Sequence, residues 1–331
     1  MARKLYILGT DIQPGGTYEL NLDVAKLHTS TPIQVPVIVS RGNEDGEVLL
    51  LMAGMHGDEM NGVEVIRRLI RKGWNKPQKG MVICIPVFNI FGFLNVSREL
   101  PDGRDLNRSF PGTKNGSLAS QFAFHFMKEV APFVDYIIDF HTGAAQRNNY
   151  PQIRCVIEDE GHLNLAKVFN PPFIIHSSTI AKTVREALYK KNKKLLLFEG
   201  GKTNSIDEFV VAEALEGVKK VMHYLDLRHF KIEKKEDVPI VLQSSKWLRA
   251  SHAGMLLVYV KNGDAIKSGD VLGVITDPFG KSERKIRATI DGYVFCVNEA
   301  PVVNKGDAIF NIGSEVVTPG HGLQHTSIKD Y

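Results

Sequence analysis

The chain has 331 residues, of which 43% are hydrophobic and 24% are charged, and its formal net charge is +4. These values are typical of a globular protein with more than one domain, and so small and scattered a charge does not predict a nucleic-acid partner. No stretch approaches the ~18 consecutive apolar residues of a membrane-spanning helix, so we expect no membrane partner.

The three cysteines, Cys84, Cys155 and Cys296, stand far apart, each within an apolar run. An odd number of isolated cysteines favours buried, reduced thiols over a disulfide framework or a zinc knuckle. The apolar stretch near the N-terminus is too short for a signal peptide. The sequence therefore predicts a cytoplasmic protein.

Strand-like and helix-like segments alternate from about residue 35 to residue 230. Strands that are apolar on both faces and alternate with helices predict an α/β layered domain with a mostly parallel sheet. The predicted strands lie at 37–40, 48–53, 81–88, 136–140, 153–157 and 194–198. The predicted helices lie at 61–72, 117–130, 180–191 and 205–225.

The pattern changes after a charged segment at 231–237. Beyond it, short β-rich pieces are separated by tight-turn signals such as Asp291-Gly292. We expect a small all-β module at 238–315, followed by a poorly ordered tail at 316–331.

The first candidate site residues lie in the segment 53–59, Ala-Gly-Met-His-Gly-Asp-Glu, between a predicted strand and a predicted helix. His56 and Glu59 are three residues apart, a spacing that lets both side chains converge on one ion. A single His-x-x-Glu pair is common by chance. Because catalytic zinc takes three protein ligands and keeps one position for water, the pair needs a further ligand.

His141 offers that third ligand. It follows the predicted strand at 136–140, and the ligand sites of open α/β sheets gather at the carboxyl ends of strands. A lone histidine after a strand is more often a structural residue. Here both histidine segments end predicted strands and are flanked by glycines, and this combination favours a zinc site with one ion per chain.

A long loop at 98–112 carries Arg98, Arg104, Asn107 and Arg108. The arginine guanidinium matches carboxylates in a bidentate manner, and asparagine adds a neutral donor. Surface arginines on a solvated loop would look the same, but long loops in compact domains tend to be functional. We therefore expect this loop to bind a carboxylate.

Two further charged residues lie at the ends of predicted strands. Glu199 ends the strand at 194–198 and precedes two glycines, which suits a site at the strand ends but also the start of the following helix. Arg154 ends near the same edge of the sheet, where it either binds a second acid group of a ligand or lies on the surface.

These motifs, in this order and at these spacings, resemble the succinylglutamate desuccinylase/aspartoacylase branch of the zinc carboxypeptidase fold over about residues 35–315. The resemblance implies a zinc hydrolase domain at 1–232, with a mixed sheet flanked by helices. The segments that carry it are 56–59 (His-Gly-Asp-Glu), 105–112 (Asp-Leu-Asn-Arg-Ser-Phe-Pro-Gly), 139–141 (Asp-Phe-His) and 198–201 (Phe-Glu-Gly-Gly).

The resemblance implies that His56, Glu59 and His141 bind zinc. Acidic residues often hold the far nitrogen of a histidine ligand. Asp58 and Asp139 are the candidates for that position.

The resemblance also implies roles around the metal. Glu199 matches the general base, and Asn107 with Arg108 matches the pair that holds the substrate carboxylate. Arg98 matches the arginine that polarises the scissile carbonyl, with Arg104 as its rival in the same loop.

The β-rich segment at 238–315 resembles the small barrel-sandwich module of lipoyl and biotinyl carriers. Carriers present a lysine, usually beside a methionine, on an exposed turn, and the matching turns here contain no such pair. We therefore expect a structural or lid module rather than a carrier.

The implied activity is that of a zinc-dependent amidohydrolase, a deacylase that removes an acyl group from a small N-acyl amino acid or diamino acid bearing a carboxylate. Two alternatives stay open: a zinc carboxypeptidase or peptide amidase, and a zinc-binding protein without catalysis. The sequence does not identify the acyl group or the amino acid of the substrate. It also leaves the oligomeric state open, and a homo-oligomer is one of the alternatives.

Overall fold

The computed structural model describes residues 4–232 and 238–315. The predicted tail at 316–331 and most of the charged segment at 231–237 lie outside these ranges. The helices are α1 Met60–Arg71, α2 Ile90–Asn95, α3 Leu118–Glu129, α4 Glu160–Phe169, α5 Val184–Tyr189 and α6 Glu208–Tyr224. The strands are β1 Tyr6–Ile7, β2 Thr10–Asp11, β3 Thr17–Lys26, β4 Pro32–Arg41, β5 Glu44–Met52, β6 Lys79–Ile85, β7 Tyr136–Gly143, β8 Arg147–Cys155, β9 Phe173–His176, β10 Lys194–Lys202, β11 Ile240–Leu242, β12 Ser244–Arg249, β13 Gly254–Val258, β14 Ala265–Ile266, β15 Val271–Thr276, β16 Glu283–Arg287, β17 Gly292–Asn298, β18 Val302–Val303 and β19 Ala308–Ser314.

One large sheet organises the chain, in the order β12-β19-β17-β8-β10-β7-β5-β6-β4-β3. Its centre, from β6 through β5 and β7 to β10, is parallel. On both sides the adjoining strand pairs antiparallel, with β4 on β6 and β8 on β10, while β9 pairs parallel with β8 and β11 parallel with β9. The pattern-based prediction of a mostly parallel sheet was therefore wrong outside the centre, and the mixed sheet that the family resemblance implied is what the chain forms.

Helices cover both faces of the parallel centre, as such a sheet requires. Alternate side chains of β5 enter two separate cores, because successive residues of a strand point to opposite faces. Leu50 and Met52 join the core that contains Phe122 and Phe126 of α3. On the opposite face, the β5 side chains pack with residues of α1, α4 and α6.

The predicted helices α1, α3 and α6 are confirmed to within three residues at each end. Helix α5 is shorter than the predicted 180–191. Lys182 has a φ of 65°, which no right-handed helix contains. Thr183 then caps the helix by accepting a hydrogen bond from the amide of Glu186. The sequence pattern did not predict α2 or α4.

The segment 238–315 forms strands, but they do not stand apart from the rest of the fold. Strand β17 pairs with β8, with Cys296 opposite Asn149, and so extends the large sheet. Strands β16, β15, β13 and β18 form a separate four-stranded sheet, and a core of its own fills this region. Among the described residues, no helix has the length and apolarity to cross a membrane.

The phenylalanine cluster beneath the loop 98–112 should be a main source of stability. Phe88 is fully buried, and its ring centroid lies 5.4 Å from that of Phe126 and 6.1 Å from that of Phe122. We expect Phe88→Ala to lower the free energy of unfolding in urea by about 3–5 kcal/mol, because it leaves a cavity. Phe279→Ala, at a side chain that is 80% exposed, is the control and should change it by less than ~0.5 kcal/mol. A loss below ~1 kcal/mol for Phe88→Ala would contradict this assignment.

Candidate active site

Three buried side chains converge at the carboxyl ends of β5 and β7. Ligand atoms of His56, Glu59 and His141 all lie within 4.8 Å of one another. The Nδ1 atom of His56 lies 2.7 Å from Glu59 Oε1, and that of His141 lies 3.0 Å from Glu59 Oε2. Two histidines and one carboxylate are a ligand set that catalytic zinc uses.

The register of the sheet brings these residues together. Strands β5 and β7 are parallel neighbours, with Met52 opposite Asp139, so the chain leaves both strands at the same edge. Gly57 lies between the two predicted ligands of the first motif, His56 and Glu59. A Cβ atom there would lie 1.7 Å from the backbone carbon of Gly92 in α2. Only glycine lets the turn between His56 and Glu59 approach that helix so closely.

Carboxylates hold the far nitrogen of each histidine. His141 Nε2 lies 3.0 Å from Asp139 Oδ2, and Asp139 is one of the two residues predicted to contact the far nitrogen of a histidine. Asp139 therefore takes the position for which Asp58 was the alternative candidate. His56 Nε2 lies 3.2 Å from Asp105 Oδ1, a second such contact that the sequence did not predict. A proton donated from Nε2 to a carboxylate leaves the Nδ1 lone pair of each histidine free for a metal.

The electrostatics of the cluster favour a cation. Burial alone would raise the pKa of Glu59, but the two histidines outweigh it and hold that pKa well below its usual range. Burial would lower the pKa of His141, yet Asp139 and Glu59 raise it well above its usual value. The buried carboxylates thus attract positive charge to the histidines. A divalent metal ion would supply that charge in place of the protons.

Glu199 lies beside the cluster. Strand β10 is the parallel neighbour of β7, and their register sets Glu199 opposite His141. Its Oε2 atom accepts a hydrogen bond from Asn149 Nδ2 at 2.5 Å, and its Oε1 atom lies 3.5 Å from Arg154 Nε. Neighbouring strands therefore place the predicted base and the predicted ligands on one edge of the sheet.

A cavity of about 300 Å³ opens over this edge. Eight of the nine predicted site residues line it: His56, Glu59, Arg98, Asn107, Arg108, His141, Arg154 and Glu199. The exception is Arg104, whose side chain is 63% exposed and whose nearest acidic partner is Asp102 at 3.7 Å. The structure thus places Arg104 outside the cavity, because its part of the loop turns toward solvent.

Arg98 lies next to the cluster of His56, Glu59 and His141. Its Nη1 atom is 3.2 Å from His56 Nδ1 and 3.5 Å from Glu59 Oε1, and its Nη2 atom donates to Asp105 at 2.9 Å. Arg108 has a different environment. It donates to the carbonyl oxygen of Asn107 at 2.7 Å, and no residue in the described ranges places a carboxylate against it.

The cavity also contains residues that sequence reasoning missed, namely Arg147, Asn149, Arg185 and Trp247. Arg185 is only 7% exposed although it lies in the short helix α5. Burial lowers the pKa of its guanidinium, and the charge of Arg154 lowers it further. No sequence signal distinguishes these residues from surface positions, because their common location depends on strand pairing between distant segments.

The three cysteines are buried and form no disulfide, as predicted. Cys296 lines the cavity. Burial raises its pKa to about 12, so the thiol stays protonated at neutral pH and is not a nucleophile.

Comparison with known proteins agrees with the motifs. The family model for the succinylglutamate desuccinylase/aspartoacylase catalytic domain matches residues 45–225, more than half of the chain. N-alpha-acetyl-L-2,4-diaminobutyric acid deacetylase from Halomonas elongata is 27% identical over 304 residues, which cover 87% of this chain and 88% of that protein.

Solved structures share the fold over nearly the whole chain. The product-bound ectoine utilization protein EutE (DoeB) from Ruegeria pomeroyi has a TM-score of 0.81 at 23% identity, covering 91% of this chain and 96% of that one. A succinylglutamate desuccinylase/aspartoacylase from Rhodobacter sphaeroides has a TM-score of 0.80 at 21% identity, with the same coverage of each chain.

The contact between Asp139 and His141 generates a prediction about metal affinity. We expect Asp139→Asn to weaken zinc binding by about 10–100-fold, because the neutral amide holds the histidine tautomer less firmly. Zinc affinity is measured by competition with a chromophoric chelator. Asp102→Asn makes the same change in the loop 98–112 without touching either histidine, and it should bind zinc like the wild type. Equal affinities for both variants would contradict the role of Asp139.

Proposed function

Because the chain belongs to the succinylglutamate desuccinylase/aspartoacylase family, we propose that it is a zinc-dependent deacylase acting on a small N-acyl amino acid that bears a carboxylate. One observation carries this proposal. The buried cluster of His56, Glu59 and His141 shares a single cavity with Glu199 and with several arginines, among them Arg108, against which the described residues place no carboxylate. Metal ligands, a base and anion-binding groups are the parts that such a hydrolysis requires.

His56, Glu59 and His141 would hold one zinc ion per chain. Bound zinc polarises a carbonyl oxygen and lowers the pKa of a water molecule to about 7. Two features of these residues fit a zinc ion. They offer two histidine nitrogens and one carboxylate, and carboxylates at both Nε2 atoms leave both Nδ1 atoms directed at Glu59.

Glu199 would move the proton in the reaction. It accepts a proton from the attacking water, whose oxygen bonds to the amide carbon, and it delivers that proton to the leaving nitrogen as the C–N bond breaks. Asn149 and Arg154 contact one oxygen each and hold the carboxylate in place. Arg98 would donate to the oxyanion, a role in which one lost donor costs on the order of 10²–10³ in rate.

Arg108 and Asn107 would hold the substrate carboxylate and so set the position of the scissile bond. The side-chain oxygen of Asn107 accepts a hydrogen bond from the amide of Val184 at 3.0 Å, which fixes the loop against α5. The free guanidinium edge of Arg108 suits bidentate binding of a carboxylate.

The carboxypeptidase or peptide amidase reading is less well supported. A peptide needs an open groove, whereas this cavity measures about 300 Å³ and includes Trp247 from β12 in its wall. We therefore assign the segment 238–315 a structural or lid role beside the domain at 1–232, and we retain its likeness to a barrel-sandwich module as a proposal.

The activity is tested on a panel of N-acyl amino acids with zinc added and then removed by a chelator. The panel contains N-acetyl-L-aspartate, N-succinyl-L-glutamate, N2-acetyl-L-2,4-diaminobutyrate and a C-terminal peptide. We expect zinc-dependent release of the amine from one or more of the small substrates. Cleavage of the peptide alone would favour the carboxypeptidase, and full zinc occupancy with no hydrolysis would favour the non-catalytic alternative.

The role of Glu199 is tested separately by Glu199→Gln. The amide cannot accept the proton from water, so we expect kcat to fall by about 10²–10⁴-fold while the zinc content stays at one per chain. Glu283→Gln, at an exposed position of β16, is the matched control and should keep wild-type turnover. Near-normal turnover of Glu199→Gln would show that another group is the base.

A further inference from the structure

The buried side chain of Gln152, in β8, is an exception to a general rule of protein interiors. The residue is 0% exposed, and neither its amide oxygen nor its amide nitrogen has a hydrogen-bond partner among the described residues. Buried polar side chains nearly always have such partners, because an unpaired buried group loses its hydration without compensation. An exception of this kind is typical of a residue that is retained for function rather than for stability.

The register of the sheet sets Gln152 beside the proposed base. Gln152 lies directly opposite Glu199 in the antiparallel pair of β8 and β10. Side chains of directly opposite residues lie on the same face of a sheet, with Cβ atoms about 4.5–5.5 Å apart. The amide of Gln152 is therefore within reach of the Glu199 carboxylate.

An irregularity in β8 brings a second amide to the same face. Glu199 and Gly201 are two residues apart in β10, whereas their partners in β8, Gln152 and Asn149, are three residues apart. Residues three apart in a regular strand point to opposite faces, and one extra residue between them returns both to one face. Pro151 lies in this segment and has no amide hydrogen for the ladder, which is why proline is found at such bulges. Asn149 and Gln152 thus both face Glu199, and Asn149 Nδ2 already donates to it.

Four polar atoms at this point lack hydrogen bonds. Two are the amide atoms of Gln152. The third is Glu199 Oε1, which accepts no hydrogen bond from any described residue and has Arg154 Nε 3.5 Å away, and the fourth is that Nε atom itself. An amide offers both a donor and an acceptor, so Gln152 can satisfy all four. Its nitrogen would donate to Glu199 Oε1, and its oxygen would accept from Arg154 Nε.

We propose that Gln152 is a positioning residue for Glu199 and forms these two hydrogen bonds while the base acts. The inference rests on the proposed deacylase function and deepens it. Asn149 and Gln152 then hold one carboxylate oxygen each, and Oε1 keeps a second lone pair for the proton of the attacking water. A carboxylate held at both oxygens keeps its orientation toward the scissile amide, so Gln152 supports turnover rather than substrate binding.

Gln152→Met tests this role, because methionine is about as long as glutamine but has no amide. With the best substrate of the N-acyl panel, we expect kcat to fall about tenfold or more. KM should stay within about twofold of the wild-type value, because no group that binds the substrate is changed. The zinc content should stay at one per chain, since the metal ligands are intact.

Two further variants separate positioning from a general effect on the fold. Asn75 is 2% exposed, its Oδ1 atom also lacks a partner in the described part of the chain, and it does not line the active-site cavity. Asn75→Met should therefore keep the wild-type kcat. Gln152→Asn retains an amide on a shorter side chain and should have a kcat between those of the wild type and Gln152→Met. If Gln152→Met does not fold, Gln152→Asn carries the test, with a lower kcat at unchanged KM.

Three results would overturn the positioning role: a wild-type kcat in Gln152→Met, an equal fall of kcat in Asn75→Met, or loss of zinc from Gln152→Met. Failure of the deacylase proposal is distinguishable from these results. If no substrate is hydrolysed although zinc is bound, a crystal structure of the zinc-loaded protein decides. We expect Gln152 Nε2 within about 3.2 Å of Glu199 Oε1, and a longer separation would overturn the proposal whatever the activity.

Discussion

The site depends on the position of one buried carboxylate: that of Glu59 lies between the Nδ1 atoms of His56 and His141 and contacts both. Charges removed from water are costly unless they are closely compensated. Here Asp105 and Asp139 add negative charge behind the histidines, so the cluster is balanced only when positive charge enters it. A bound cation would therefore add to stability, and the surrounding loops have to hold these side chains in one arrangement.

The sheet provides that arrangement through its register. Parallel pairing of β5, β7 and β10 brings the two histidines, Glu59 and Glu199 to one edge. Antiparallel pairing of β8 with β10 then brings Asn149 and Arg154 to the carboxylate of Glu199. Because β17 pairs with β8, the C-terminal segment stabilises the strand whose Asn149 and Arg154 contact Glu199, and it also contributes Trp247 to the cavity wall. The cavity thus depends on residues from both halves of the chain.

Much of the fold was predictable, because local patterns determine most of its elements. The periodicity of α1, α3 and α6 and the apolar runs of β5, β6, β7 and β10 are visible in the sequence. The start of α5 was not, because it depends on the positive φ of Lys182 and on the Thr183 cap. The antiparallel flanks were also missed, because the direction in which β4 and β8 meet their neighbours depends on pairing between segments that lie apart in the chain.

The amino-acid sequence by itself identified the residues able to take part in metal binding and proton transfer, namely His56, Glu59, His141 and Glu199. They stand in motifs at the ends of predicted strands, and the ends of neighbouring parallel strands lie at one edge of the sheet. Only the tertiary structure decided which neighbours complete them. It separated Arg98, which contacts the cluster, from Arg104, which faces solvent, and it brought Arg147, Arg185 and Trp247 into the cavity. The physical reason is that motif residues are positioned by short-range backbone geometry, whereas the cavity wall is formed by pairing between strands that lie far apart in the chain.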